Sequence, residues 1–336
     1  MGTAQASQET AVPAKRPNPL MSGSSRKALL VAGLTIAGLA LVYLVGDRPP
    51  ALVTQYLVSG LLLGGVYALV SLGLTLIFGV LGIVNFAQGA MLTLAMYLVY
   101  VLQGNLGINL YVAVVLTIPL LFGFGWLVQS MLLNRLTEDV SHERPLLVTL
   151  GLSLLIMNVL LMIFGGRPKS VDSGISGNIQ IFGAQADIQR IIAFAGAMVV
   201  AAALTLVLRR TSMGLAIRAV AANGTGAALV GVNVRRIYAL TFGLGAASVA
   251  VAGGLITPFT TLVPSAGEQF TTLAFVIVVL GGLGSIPGAL VGGLFIGILQ
   301  TVGSLYLPGS GSLILVFGIF VLILFLRPQG LFGAKQ

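Results

Sequence analysis

Cysteine is absent from this 336-residue chain, histidine occurs once, and only 8 acidic residues accompany 17 basic ones. Without cysteine there are no disulfides, no thiolate nucleophile and no cysteine-based metal site. Charge of either sign is scarce, at 7% of residues, where soluble domains carry about a quarter. A folded chain of this length in water would need charged residues to cover its surface, whereas lipid tails demand the opposite. The chemistry of an enzyme is equally thin. No nucleophile with its base, no paired carboxylates and no metal ligands are visible in a pattern that would bring them to one pocket. His142 lies with Glu138, Asp139, Glu143 and Arg144 in one loop, a pattern that reads as a solvated charge cluster. The phosphate-binding pattern GxxxxGK[ST] is missing, so the chain has no P-loop with which to bind ATP.

What is present is apolar sequence, at 57% of residues, with a mean hydropathy of +1.07. No charge occurs between Arg48 and Arg135. A helix needs about 20 residues to cross a hydrocarbon core of about 30 Å, so that stretch holds three crossings. The cuts fall at Leu52 to Leu72, Phe86 to Leu102 and Leu110 to Leu133. Gly73 to Asn85, apolar but rich in glycine, either extends a helix or forms a broken or re-entrant piece. A first span runs from Ala28 to Gly46, too long for the core of a cleaved signal peptide and followed by Asp47, Arg48 and Pro49. Further runs lie at Leu146 to Phe164, Ile188 to Leu208, Ile237 to Ile256, Phe270 to Leu283, Ala289 to Leu307 and Leu313 to Leu326. The expectation is an all-α polytopic transmembrane bundle of about ten spans over residues 28–327. A disordered tail (1–27) precedes it and a short tail (328–336) follows.

The net charge of +9 comes from basic residues scattered between apolar runs, with no continuous face for nucleic acid. Counted from a cytoplasmic N-terminus, thirteen Lys and Arg fall in inside segments. Only Arg48, Arg167, Lys169 and Arg190 fall outside. That asymmetry follows the positive-inside rule and sets both termini in the cytoplasm. Gly60, Gly64, Gly288, Gly292, Gly293 and Gly297 stand in small-xxx-small spacing, which lets helix backbones approach closely.

Within the spans, Asn85 and Gln88 are the polar groups of most interest. An uncharged amide either hydrogen-bonds between helices or meets the ammonium or carboxylate of a solute without a desolvated charge of its own. Glu268 is the one acid between Arg236 and Arg327, and it falls at the expected outer end of a span, at the water interface. Gly281-Gly-Leu-Gly284 lacks a following lysine and reads as a tight turn. The segment from Arg209 to Arg236 differs from all of these. Met213 to Ala222 suits a short helix, Asn223-Gly224-Thr225-Gly226 breaks it, and Ala227 to Val230 starts another. So small a half-apolar hairpin must pack on something, either the bundle's own face or a groove in a separate subunit.

At these residues the sequence resembles the branched-chain amino acid ABC transporter permease family, of the LivH type. Thr211-Ser-Met-Gly214-Leu-Ala-Ile-Arg218-Ala219, followed by Ala228-Leu229-Val-Gly231-Val-Asn233, is similar to that family's cytoplasmic coupling region. Gly73-Leu-Thr-Leu-Ile-Phe-Gly79-Val-Leu-Gly-Ile-Val-Asn85-Phe-Ala-Gln88-Gly89 resembles its early-span signature, and Val279 to Gly293 its late one. The resemblance runs in order over roughly Leu52 to Phe332. It implies a non-catalytic permease subunit in a bacterial inner membrane, with no cofactor of its own because ATP is bound by partner ATPase subunits. It also implies a second, related permease chain and a periplasmic binding protein that delivers a small neutral amino acid. Asn85, Phe86, Gln88 and Gly89 would then line the substrate pathway. Gly214, Arg218, Ala219, Leu229 and Gly231 would dock the ATPase. A self-sufficient carrier or channel for small neutral solutes such as urea or amides is the alternative.

Overall fold

Where helices must cross without a large side chain between them, glycine sets the contact. The computed structural model describes residues 49–135, 143–181, 183–307 and 309–332. Its longest helix, α1 (Pro50–Leu81), runs antiparallel to α10 (Ile286–Tyr306). A Cβ on Gly297 would come within 2.3 Å of the Gly64 Cα, and one on Gly293 within 2.4 Å of the Ala68 Cα. The small-xxx-small spacing therefore marks a real backbone crossing. A second crossing joins α3 (Leu110–Met131) to α8 (Val234–Ile256), where Gly125 faces Ala246 and Gly243 faces Phe122. α1 and α8 form the centre: 83% of the most apolar stretch of each is buried.

Around them lie α2 (Gln88–Leu106), α4 (Glu143–Phe164), α5 (Ile188–Arg210), α6 (Ser212–Ala222), α7 (Gly224–Leu229), α9 (Gly267–Gly281) and α11 (Gly311–Leu326). α4 is the most outlying long helix, presenting Leu147, Leu154, Leu155, Met162 and Ile163 outward. Two short strands, β1 (Asn178–Ile181) and β2 (Ala184–Asp187), pair antiparallel and were not anticipated by the hydropathy pattern. Among the described residues every other named element is a helix.

Of the ten expected crossings, seven are helices long and apolar enough to span a bilayer, and α9 and α11 are shorter apolar helices. The first, Ala28 to Gly46, lies outside the described residues, as do residues 1–27 and His142, Glu138 and Asp139. Several boundaries move. α2 begins at Gln88 rather than Phe86, because Asn85 folds its side chain onto the Ala87 N–H in a turn. α9 begins at Gly267 and ends at Gly281, three residues before and two before the expected limits. In the hairpin segment only Asn223 interrupts the helices. Gly224 to Gly226 belong to α7.

Residues 73–81 extend α1 to 32 residues, about 48 Å by helical rise. Gly82, at φ 69°, ends it in the left-handed conformation that a side chain would strain. The chain then doubles back through 83–87, a non-helical strip with Ile83, Asn85 and Ala87 buried, before α2 begins.

One contact fixes depth. Gly89 lies against Gly267, so closely that a Cβ on Gly89 would be 1.9 Å from the Gly267 carbonyl. Gly89 is eleven residues from Tyr100 along α2, about 16 Å. Tyr100 marks one end of the bundle, where its ring carries Lys169 at 4.9 Å and Lys169 pairs with Leu262. Gly281 is fourteen residues from Gly267 along α9, about 21 Å, and at that other end Phe332 N–H donates to its carbonyl. The start of α9, and Glu268 with it, therefore lies well inside the bundle's height. The sequence-based expectation had put Glu268 at the water interface. It fails because the chain between Leu262 and Gly267 dips inward before the helix starts.

Candidate functional site

The intramembrane polar residues form one knot. Asn85 and Gln88 are both fully buried, and Asn85 Nδ2 donates to Gln88 Oε1 at 3.1 Å. Gln88 Nε2 donates to the Val70 carbonyl at 3.3 Å, and the Ala87 N–H donates to Asn85 Oδ1 at 3.1 Å. Each amide thus has a donor and an acceptor satisfied within the chain, as burial in an apolar setting requires. The fit is tight from the α1 side. A Cβ at Gly73 would lie 2.7 Å from Gln88 Nε2 and 2.3 Å from Ser248 Oγ.

Neighbouring groups anchor the doubled-back strip to two further helices. Phe86, half-buried, donates its N–H to Thr149 Oγ1 of α4 at 3.2 Å, and that hydroxyl lies within reach of the Val84 and Leu146 carbonyls. Gly89 donates its N–H to Thr271 Oγ1 of α9 at 2.9 Å. The structure therefore gathers Asn85, Phe86, Gln88 and Gly89 where α1, α2, α4 and α9 meet. Thr149 and Thr271 were not singled out from sequence. They lie 63 and 182 residues from their partners, and an isolated threonine in an apolar run carries no signal of such a contact.

At the far end of α1 the second group of residues builds a different surface. Thr211 caps α6, its hydroxyl accepting from Gly214 N–H at 3.0 Å. Asn223 caps α7 through Gly226 N–H at 2.8 Å, and Asn233 caps α8 through Arg236 N–H at 3.0 Å. Gly214 is buried because α6 folds tightly back on α5; a Cβ there would be 2.3 Å from the Leu208 carbonyl. Arg218 donates to that same carbonyl, one of the unpaired acceptors at the C-terminus of α5.

One face of the α6–α7 hairpin packs on the bundle. Ile217, Val220 and Ala227 join Leu76, Leu204, Leu208 and Ile237 in a cluster separate from the main core, with Val80 and Ala219 against it. The last turns of α1, just before Gly82, are thus held by the hairpin. Among the described residues nothing covers the other face. Leu229 is 85% exposed, Val230 79% and Leu215 61%, and Gly231 turns away at φ 88°. Arg209, Arg210, Arg218, Arg235 and Arg236 are exposed on the same segment, and no acid occurs from 209 to 236. Leu215 and Val230 went unmarked in the sequence, although both are apolar residues in a cationic loop.

At the opposite end, Gln55 of α1 makes two hydrogen bonds to the backbone of Gln185 in β2. Gln103 donates to the Asp172 carbonyl, and Arg190 lies over the Phe259 ring at 5.6 Å. The β-hairpin is thereby fastened to the start of α1.

Comparison with known proteins gives a consistent result. The family described as branched-chain amino acid transport system / permease component matches residues 56–326. The high-affinity branched-chain amino acid transport system permease protein LivH of Escherichia coli (strain K12) is 32% identical over 296 residues, covering 84% of this chain and 96% of LivH. The corresponding protein BraD of Pseudomonas aeruginosa is 30% identical over 297 residues, with the same coverage of each chain. The galactofuranose transporter permease protein YtfT of Escherichia coli (strain K12) is 29% identical over 259 residues, 75% of this chain and 70% of YtfT. No solved structure matches.

Proposed function

Because the chain belongs to the family of branched-chain amino acid transport permease components, we propose that it is the membrane-spanning subunit of an ATP-driven importer for branched-chain or other small neutral amino acids. It is a multi-pass inner-membrane protein and not itself an enzyme. ATP is hydrolysed by partner subunits docked on the α6–α7 hairpin, a second related permease chain completes the pathway, and a periplasmic binding protein delivers the solute to the β-hairpin end. The observation that carries this reading is the exposed patch of Leu215, Leu229 and Val230 on a segment that also exposes five arginines and holds no acid. An apolar patch on a cationic segment has the make-up of a protein–protein contact.

The route of coupling follows from the packing. Movement of the hairpin acts on Leu76 and Val80, at the end of α1. The strip 83–87 hangs directly from that end, and its hydrogen bonds reach α4 through Thr149 and α9 through Thr271. The buried Asn85–Gln88 pair holds the strip as a unit, so displacement is passed on to α2 and α9 and is not absorbed locally.

The test is uptake in proteoliposomes containing this chain, its second permease and the ATPases, with binding protein outside. Accumulation of leucine, isoleucine or valine only when ATP is enclosed supports the reading. Accumulation by the chain alone on an ion or solute gradient overturns it and selects a self-sufficient carrier. The likeness to YtfT favours a second reading of the solute alone, a neutral sugar, which competition of labelled leucine uptake by furanoses would reveal.

A further inference from the structure

Glu268 has no role in the contacts described so far. It is exposed on the first turn of α9, and among the described residues no hydrogen bond or ion pair to its carboxylate is seen. Its neighbour Gly267 touches Gly89, which puts the carboxylate about 16 Å along the bundle from the Tyr100 end and about 21 Å from the Gly281 end. A second contact agrees: two residues further on, Phe270 meets Tyr67 edge to face at 5.8 Å, and Tyr67 lies twelve residues, about 18 Å, along α1 from Gln55 at the β-hairpin end. An ionisable group at that depth is costly against lipid and belongs on a polar path or beside a counter-charge.

The surface around it is polar in the same sense. Gln269 and Thr272 are also exposed, and Glu268, Thr272 and Phe275 follow one another along a single face of α9. The outward face of α11 carries isoleucine, phenylalanine, valine and leucine instead, and that of α4 is apolar apart from Asn158, whose amide is bonded to the Leu154 carbonyl of its own helix. The first two turns of α9, from Glu268 to Thr272, are thus suited to water and not to acyl chains.

We propose that the Glu268–Thr272 face of α9 lines the solute path where this chain meets the second permease, and that the Glu268 carboxylate receives the ammonium group of the passing amino acid. This rests on the amino-acid importer reading above and assigns its specificity-determining residue. A carboxylate and an ammonium make a charge-assisted hydrogen bond in a setting of low dielectric. Gly89 and Thr271, bonded to each other on the buried side of the same turn, tie this face to the strip that the hairpin displaces.

The natural absence of cysteine makes the path directly readable. In the assembled complex in membranes, Thr272→Cys should react with a charged, membrane-impermeant thiosulfonate and be protected by saturating solute, while Leu155→Cys on the apolar face of α4 stays inert. Glu268→Gln should raise the solute concentration for half-maximal uptake by about tenfold or more, with Glu268→Asp nearer the parent and the complex still co-purifying with its partners. Thr272→Cys as inert as Leu155→Cys overturns the path. Reaction at Thr272→Cys with unchanged half-saturation in Glu268→Gln overturns the role of the carboxylate. Loss of the second permease chain from the Glu268→Gln complex shows instead that a cation of that chain pairs with Glu268, which also overturns it. Thiol reactivity is measured without transport, so failure of ATP-driven uptake by the parent complex rejects the importer reading separately.

Discussion

Single residues in this bundle are constrained mainly by how little room they have. Gly89→Ala would drive a methyl into the Gly267 carbonyl and the Thr271 hydroxyl, both inside ordinary contact distance, and the α2–α9 crossing would have to part. The expected destabilisation is about 2 kcal/mol or more, seen as a lower melting temperature in detergent. Gly123→Ala in α3 meets nothing within 4 Å and should gain about 0.5–1 kcal/mol in the same assay. The buried amide pair behaves differently. Gln88→Ala removes the partner of Asn85 Nδ2 and leaves the Val70 carbonyl without its side-chain donor, at about 1–3 kcal/mol. Because the two amides satisfy each other, Gln88→Ala with Asn85→Ala should cost less than the sum of the single changes in a double-mutant cycle.

Elements were legible in proportion to how local their causes are. Uninterrupted apolar runs gave most of the long helices within a few residues, whereas the starts of α6 and α7 were misplaced to Met213 and Ala227, because the capping bonds of Thr211 and Asn223 carry the helices back to Ser212 and Gly224. The end of α1 was not legible. Gly73 to Asn85 is uniformly apolar, and whether it continues a helix depends on Gly82 taking a positive φ and on the hairpin enclosing Leu76. Nor was the depth of Glu268, since hydropathy orders residues along the chain and not across the membrane. That depth came from Gly89 against Gly267, a contact between residues 178 apart. For the hairpin the two-sided packing supplies a specific expectation. Leu229→Asp with Val230→Asp alters only exposed side chains, so melting should hold while recovery of the ATPases on an affinity-tagged chain is lost. Arg218→Glu sets a carboxylate against the C-terminal carbonyls of α5 and should weaken both hairpin packing and ATPase recovery.

For the whole molecule, the features divide by end: a β-hairpin held by Gln55 at one, a cationic helical hairpin on Leu76 and Val80 at the other, and a polar turn of α9 between them. The expected orientation rests on the basic residues, thirteen of the 17 of which fall in segments expected on the cytoplasmic side. In intact cells Gln180→Cys should therefore react with an impermeant maleimide, and Leu229→Cys only after the membrane is opened.

The claim on which energy transfer depends is that the patch around Leu229 is covered by an ATPase subunit in the assembled complex. The direct measurement is photo-crosslinking from Leu229→benzoylphenylalanine in membranes that carry out ATP-driven uptake. A covalent adduct between this chain and the ATPase is the expected product. Uptake at the parent rate with no adduct, and with Leu229→Cys freely alkylated in the same complex, would contradict the account.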